Sequence, residues 1–172
     1  MGPEHRTRQT CSHMGSDDLT LRPFEAADMP ELRRIRATPG VARWWGRPSD
    51  DFAEIDSDTS LFTIEVDGAA AGLIQIYEEP DPKYRHASID LFLDPALHGR
   101  GLGTEAVRQA VSHVIGELGH HRVTIDPAAA NAVAIRAYEK VGFRRVGVMR
   151  SYERDADGDG WHDGLLMELL AG

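Results

Sequence analysis

The chain has 172 residues, a single cysteine and a formal net charge of -9. That length can bury one core, one cysteine (Cys11) excludes internal disulfides and multi-cysteine zinc sites, and the acidic balance argues against nucleic acid, which asks for a basic face. No apolar run reaches the roughly 20 residues of a membrane helix, and the N-terminus lacks the apolar segment of a secretory signal, so the expectation is a cytoplasmic protein with no membrane partner.

Residues 1–18 are polar and unpatterned and read as a tail, in which Ser12-His13-Met14-Gly15-Ser16 resembles an expression-vector scar. Residues 19–172 read as a single domain. Leu19, Leu21 and Phe24 begin a first strand. Asp28 is expected to cap the following helix, with Pro30 in its first turn and Met29, Leu32 and Ile35 as its apolar face. Thr38-Pro39-Gly40 is expected to end it. Val41 to Ile55 carries Trp44-Trp45-Gly46 and a predicted short helix after Pro48. Leu61 to Val66 and Ala70 to Tyr77 are predicted strands, joined at Asp67-Gly68, a strong hairpin signal. Glu78 to Arg85 is an acidic loop.

Ala87 to Leu93 is the next strand: Ala87, Ile89, Leu91 and Leu93 share one face, and Ser88, Asp90 and Phe92 the other. Asp94-Pro95 ends it. Leu102, Ala106, Val107, Ala110, Val111, Val114, Ile115 and Leu118 then recur at helical spacing, the strongest helix of the chain. Arg122 to Ile125 is a short strand, and Asn131 to Val141 a helix stopped by Gly142. Phe143 to Ser151 and Leu165 to Leu170 are two last strands around an acidic, glycine-rich turn. The order β-α-α-β-β-β-α-β-α-β-β, without repeats or a domain boundary, predicts one mixed α/β sheet.

Between the Ala87–Leu93 strand and the strongest helix stands Leu97-His98-Gly99-Arg100-Gly101-Leu102-Gly103-Thr104. Glycines let backbone N–H groups converge on an anion, and the helix start adds roughly half a positive charge, so the segment suits a pyrophosphate, with Arg100 at its rim. It is not a dinucleotide fingerprint, whose third glycine would fall on Thr104, and it lacks the Gly-Lys-Ser/Thr of a Walker loop. Taken alone, it reads equally well as a glycine-rich turn with no ligand.

Asp90 interrupts an otherwise apolar strand just before that loop. Carboxylates are rare in such places unless paired, so Asp90 is either a catalytic base or half of a buried salt bridge, with Arg85 or His86 as partner. The eight histidines are scattered; His120-His121 suits the end of a helix, where a cation meets the dipole. Asp155-Ala156-Asp157-Gly158-Asp159-Gly160 begins like an EF-hand loop, but its twelfth position is Leu166 where a Glu is needed. A hairpin turn is expected instead, and no metal site.

The loop and the helix after it resemble the GNAT superfamily of acetyl-CoA-dependent N-acetyltransferases. His98-x-x-Gly101-x-Gly103 is similar to their phosphate motif, with His98 in place of the usual Gln or Arg. Asn131 to Phe143, with Tyr138 and Gly142-Phe143, is similar to their second motif, and the resemblance runs from Leu19 to Leu170. It implies a mixed, mostly antiparallel sheet with a central splayed parallel strand pair flanked by helices. It also implies acetyl-CoA as cofactor, with coenzyme A as product. Phe92, Leu93, His98, Gly99, Arg100, Gly101, Leu102, Gly103, Thr104, Asn131, Ala134 and Tyr138 would hold the cofactor, Tyr138 would act as general acid, and Asp90 as general base. Such chemistry needs a neutral amine: a lysine-like ammonium has a pKa of about 10.4, so holding it neutral at pH 7 costs roughly 4–5 kcal/mol.

Within the superfamily the chain resembles the aminoglycoside 6'-N-acetyltransferases, through Trp44-Trp45-Gly46, Gln75 with Tyr77, Ile89-Asp90-x-Phe92-Leu93, and Asp126-Pro127. That resemblance implies an antibiotic-resistance enzyme whose acceptor, a small polycation, meets Trp44, Trp45, Gln75, Tyr77, Asp90 and Asp126. Carboxylates such as Asp90, Asp126, Glu79 and Asp81 suit such a substrate. A protein N-terminus, a polyamine or a siderophore precursor is the alternative acceptor, and a non-catalytic acyl-CoA-binding module the alternative of another class. A monomer or homodimer is expected.

Overall fold

A computed structural model describes residues 18–46 and 56–172. The tail up to residue 17, with Cys11, and the short helix expected after Pro48 lie outside the described residues. The described residues form seven strands: β1 (Leu19–Pro23), β2 (Thr59–Val66), β3 (Ala69–Glu78), β4 (Ala87–Leu93), β5 (Arg122–Ile125), β6 (Arg144–Arg154) and β7 (Trp161–Leu170). They make one sheet in the order β1-β2-β3-β4-β5-β7-β6. Every pairing is antiparallel except β4 with β5. Four helices flank it: α1 (Met29–Arg36), α2 (Pro39–Trp45), α3 (Leu102–Gly116) and α4 (Ala132–Val141).

The period-2 pattern of β4 sorts the two layers. Ala87, Ile89 and Leu93 join the larger core beneath α3, where Ala106, Val107, Ala110 and Val114 are fully buried. Phe92 enters a second, smaller core with Leu32 and Ile35 of α1, Leu61 and Leu73. The β4-α3-β5 connection links two parallel neighbours, which a crossover helix must do. The Asp67-Gly68 turn has both residues at positive φ, 50° and 81°, as the tightest hairpin requires.

Two local expectations need correction, and a third holds with an addition. Asp28 does not cap α1 with its side chain. It accepts two bonds from the Arg22 guanidinium, at 2.7 and 2.8 Å, one from Thr63 at 2.8 Å and one from the Glu25 N–H at 3.0 Å. A buried carboxylate in reach of a guanidinium gains more there than from one helix amide. Thr38-Pro39-Gly40 does end α1, but Pro39 also opens α2; a proline at the first helical position loses no hydrogen bond. The last two strands reach further into the acidic segment than their apolar residues suggested, because Glu153 pairs with His162 and Arg154 with Trp161.

The remaining turn is a hairpin closed by Asp155 N–H to Gly160 C=O at 3.0 Å, with Gly158 at φ 83°. His120 is buried and lies 2.7 Å from a Glu78 carboxylate oxygen. Among the described residues no helix is long and apolar enough to cross a membrane.

Candidate active site

The parallel β4–β5 ladder holds for two residue pairs, Ala87 with Val123 and Ser88 with Thr124, and then ends. Beyond Ser88 the two strands diverge, and β4 stays paired only with β3. Gly72 lets β3 follow it: a Cβ there would collide with the Phe92 carbonyl oxygen and stand 3.0 Å from the Leu93 Cα.

The edge of β4 left by the divergence is dressed by side chains. The Leu91 N–H donates to Asp90 Oδ1 at 2.9 Å, and the Leu91 carbonyl accepts the Trp45 indole N–H at 3.1 Å. The Leu93 carbonyl lies 3.2 Å from His98 Nε2. His98 therefore ties the glycine loop back to the strand before it.

The loop itself is open. His98, Gly99, Arg100 and Gly101 are exposed, and Gly99 and Gly101 both sit at φ 78°, a left-handed conformation that non-glycine residues enter only at a cost. Gly101 is the N-cap of α3 and no side chain caps that helix. Its first-turn amides, from Leu102, Gly103 and Thr104 onward, are the ready anion site of a helix start. Gly103 has no positive φ, and a Cβ there would meet nothing within 4 Å. On α4, Asn131 is the N-cap, and its Oδ1 accepts from the Ala134 N–H at 3.2 Å.

Asp90 stands across from Gln75 of β3 in the sheet, with Tyr77 two residues on along the same face. Asp90 is an exposed residue of β4, with protein crowding its carboxyl enough to displace water there. Loss of water around the carboxyl is the first cause that pushes it up to about 7; the charge of Asp126 is the second, and Glu153 adds to it. The Leu91 N–H and the Arg36 cation oppose that rise. The two salt-bridge partners weighed for Asp90 are engaged elsewhere: Arg85 donates to the Leu118 carbonyl, and His86 lies 2.7 Å from the Tyr84 carbonyl. Tyr138 of α4 is held well above the usual phenol range, by burial first and then by the charges of Asp90 and Asp126. It is a phenol kept protonated beside two carboxylates.

The two tryptophans separate. Trp45 packs edge-on against Phe92 with ring centroids 5.1 Å apart, and Arg36 donates to its carbonyl at 3.0 Å and sits 5.5 Å from its ring. Trp44 instead carries Arg43 over its ring at 4.4 Å. Glu79 and Asp81 stay in the β3–β4 loop, where each carboxylate accepts a local backbone N–H.

Arg36, Tyr152 and Glu153 are site neighbours that no sequence pattern singled out. Arg36 looks like one more charge on a helix, and the other two lie on an edge strand. Only the tertiary fold brings Arg36 and Glu153 within electrostatic reach of Asp90, and Tyr152 within electrostatic reach of Asp126.

Residues 18–144 match the acetyltransferase (GNAT) domain family model. The chain is 28% identical over 135 residues to a spermidine N(1)-acetyltransferase of Escherichia coli K12, covering 73% of this chain and 72% of that protein. It is 30% identical over 167 residues to an aminoglycoside N(6')-acetyltransferase type 1 of Klebsiella pneumoniae, covering 83% of this chain and 82% of that protein. Its fold matches a crystal structure of the aminoglycoside acetyltransferase AAC(6')-Ib with coenzyme A and kanamycin. That match has a TM-score of 0.73 and 25% identity, over 89% of this chain and 95% of that one.

Proposed function

The chain belongs to the acetyltransferase (GNAT) family and takes acetyl-CoA as its donor; we propose that its acceptor is a polycationic primary amine, first the 6'-amine of an aminoglycoside. The observation that carries this reading is the approach of Asp126 and Glu153 to Asp90, close enough for both charges to raise its pKa. Three carboxylates at one cleft repel one another unless cations join them. An aminoglycoside brings several ammonium groups.

The residues present fit acetyl-CoA. The α3 start is uncapped by side chains and preceded by two left-handed glycines that leave its amides open, and β4 turns an edge toward the gap beside it. Gly99 to Thr104 would hold the pyrophosphate and Arg100 would add charge at its rim. The strand edge at Phe92 and Leu93 would run beside the pantetheine arm, and Asn131, Ala134 and Tyr138 would line the opposite wall. When bound, acetyl-CoA supplies an activated acetyl thioester.

The chain's own groups supply the proton traffic. Asp90, pushed up to about 7, can take the proton of an acceptor ammonium near neutral pH, where an ordinary carboxylate is too weak a base. Tyr138 holds the proton that a departing thiolate needs, and its raised pKa keeps that proton on the phenol until then. Trp45, Trp44, Gln75 and Tyr77 would offer walls and polar contacts to the acceptor.

A polyamine is the second acceptor class, favoured by the match to a spermidine acetyltransferase. Incubation with acetyl-CoA and kanamycin, tobramycin or spermidine, read by mass spectrometry, tests the proposal. The expected result is gain of one acetyl group on kanamycin or tobramycin. Acetylation of spermidine alone transfers the reading to polyamines, and acetylation of none of the three overturns it.

A further inference from the structure

Ser88 of β4 and Thr124 of β5 form the last rung of the parallel ladder. Ala87 and Ile89 on one strand, and Val123 and Ile125 on the other, belong to the larger core beneath α3. Alternation along each strand turns Ser88 and Thr124 to the opposite face, the face that also carries Asp90. There the Ser88 Oγ and the Thr124 Oγ1 lie 2.7 Å apart, a hydrogen bond in which either can donate. Thr124 is buried, and its hydroxyl also approaches the Ala87 carbonyl at 3.5 Å.

Parallel strands at the centre of a sheet usually carry apolar runs. An Ala–Val pair would fill this rung without placing a buried hydroxyl there. Apolar side chains only touch, whereas a hydroxyl pair fixes one distance and satisfies its own polar atoms. The position of the bond gives that distance a use. The backbone ladder joining the two strands is only two pairs long and ends at this rung. Two residues beyond Ser88 stands Asp90, and two beyond Thr124 stands Asp126. The carboxylates therefore follow the two arms of a V whose apex is the hydroxyl bond. Asp126 is close enough for its charge to act on Asp90, and that repulsion works to open the V.

We propose that Ser88 and Thr124 are a positioning pair for the acetyl transfer: their hydroxyl bond pins β4 to β5 where the strands part, and so sets how closely Asp126 stands by the base Asp90. Both act through Asp90. The inference rests on the reading of Asp90 as the base of an N-acetyltransferase.

The groups around Asp90 give the sign. Asp126 and Glu153 raise its carboxyl, and the Leu91 N–H and Arg36 lower it. Tyr138 and Tyr152 are held above the usual phenol range and stay uncharged near neutral pH. Of these groups only Asp126 directly follows β5. Releasing the pin lets Asp126 draw away, so Asp90 should titrate at lower pH.

The full chain is compared as wild type, Ser88→Ala, Thr124→Val, the double variant and Thr124→Ser. Carbon-13 NMR of the aspartate carboxyls, with Asp90 assigned through Asp90→Asn, reads the titration directly, and kcat/KM for kanamycin against pH reads it in turnover. Ser88→Ala and Thr124→Val should each lower both midpoints by about half a pH unit, the scale of a charge repulsion relaxed by about 2 Å in partly shielded surroundings. The double variant should move no further than either single one, because one bond is lost once. Thr124→Ser keeps the hydroxyl and should keep the wild-type midpoint.

Unmoved midpoints in Ser88→Ala and Thr124→Val overturn the inference, even where urea unfolding shows lost stability, since that marks a purely structural bond. So does a shift in Thr124→Ser as large as in Thr124→Val, or a double variant that sums the single shifts. These outcomes leave the functional reading intact if the wild type acetylates kanamycin, or spermidine, on which the kinetic comparison then runs. A wild type that acetylates neither overturns the functional reading and the positioning role together.

Discussion

The indole N–H of Trp45 donates to the carbonyl oxygen of Leu91, 3.1 Å away. This bond joins α2 to β4 just where β4 has parted from β5, and it meets a carbonyl that the sheet no longer serves. Leu91 follows Asp90, so the contact also steadies the backbone that aims the carboxyl. Trp45→Phe keeps an aromatic ring next to Phe92 and removes the donor together with part of the indole. It should cost about 1–2 kcal/mol in urea unfolding, the price of a carbonyl left without its partner, and lower kcat/KM for kanamycin about tenfold. An unchanged kcat/KM would show that Trp45 only packs.

Asp90 gives the pH dependence its direction. A base must be deprotonated to act, so kcat/KM should rise with pH along a limb centred near 7. Asp90→Asn should abolish that limb and most of the turnover. Asp126→Asn removes a charge that raises Asp90, so the limb should move to lower pH, whereas Arg36→Met removes a cation that opposes the rise and should move it higher. A limb that stays in place in both variants would separate it from Asp90.

The glycines at the start of α3 differ in what they should show if they hold the pyrophosphate. Gly101→Ala places a side chain at φ 78°, which costs about 1–2 kcal/mol of stability as well as crowding the anion site. Gly103→Ala meets no atom within 4 Å and has no positive φ, so unfolding should be unaffected while the KM for acetyl-CoA rises about tenfold or more. A Gly103→Ala protein with an unchanged acetyl-CoA KM would place the pyrophosphate elsewhere.

Asp28 concerns stability and not turnover. Its carboxyl is held far below the usual carboxylate range, chiefly by the hydrogen bonds from Arg22. The sign follows from that depression: the stabilisation is present above the unfolded-state pKa of about 3.9 and is lost as the pH falls below it. Asp28→Asn should lower the unfolding free energy by about 2–4 kcal/mol at pH 7, because it leaves Arg22 and Thr63 short of a partner. The loss should shrink on going to pH 3. A stability gap independent of pH over that range would contradict the assignment.

Local periodicity carried most of the architecture. The 3.6-residue spacing of α3 and the strict alternation of β4 name the buried faces, and Asp67-Gly68 and Gly142 mark a turn and a helix end by conformations that only certain residues tolerate easily. Where two local signals competed, the pattern was less legible. Pro39 reads equally as a stop and as a first helical residue, and Asp28 reads as a cap until Arg22 and Thr63, distant in sequence, come within reach.

The sequence by itself determined the glycine loop at the start of α3, the interrupted apolar strand with Asp90, and the Asn131-to-Phe143 helix, because each is a short stretch whose geometry its own residues dictate. Tertiary structure alone decided what surrounds them. The divergence of β4 from β5, the meeting of the Ser88 and Thr124 hydroxyls, and the approach of Asp126, Glu153 and Arg36 to Asp90 all depend on distances between segments far apart in the chain. Charge interactions and desolvation follow those distances through space, and no periodicity along a strand or helix encodes them.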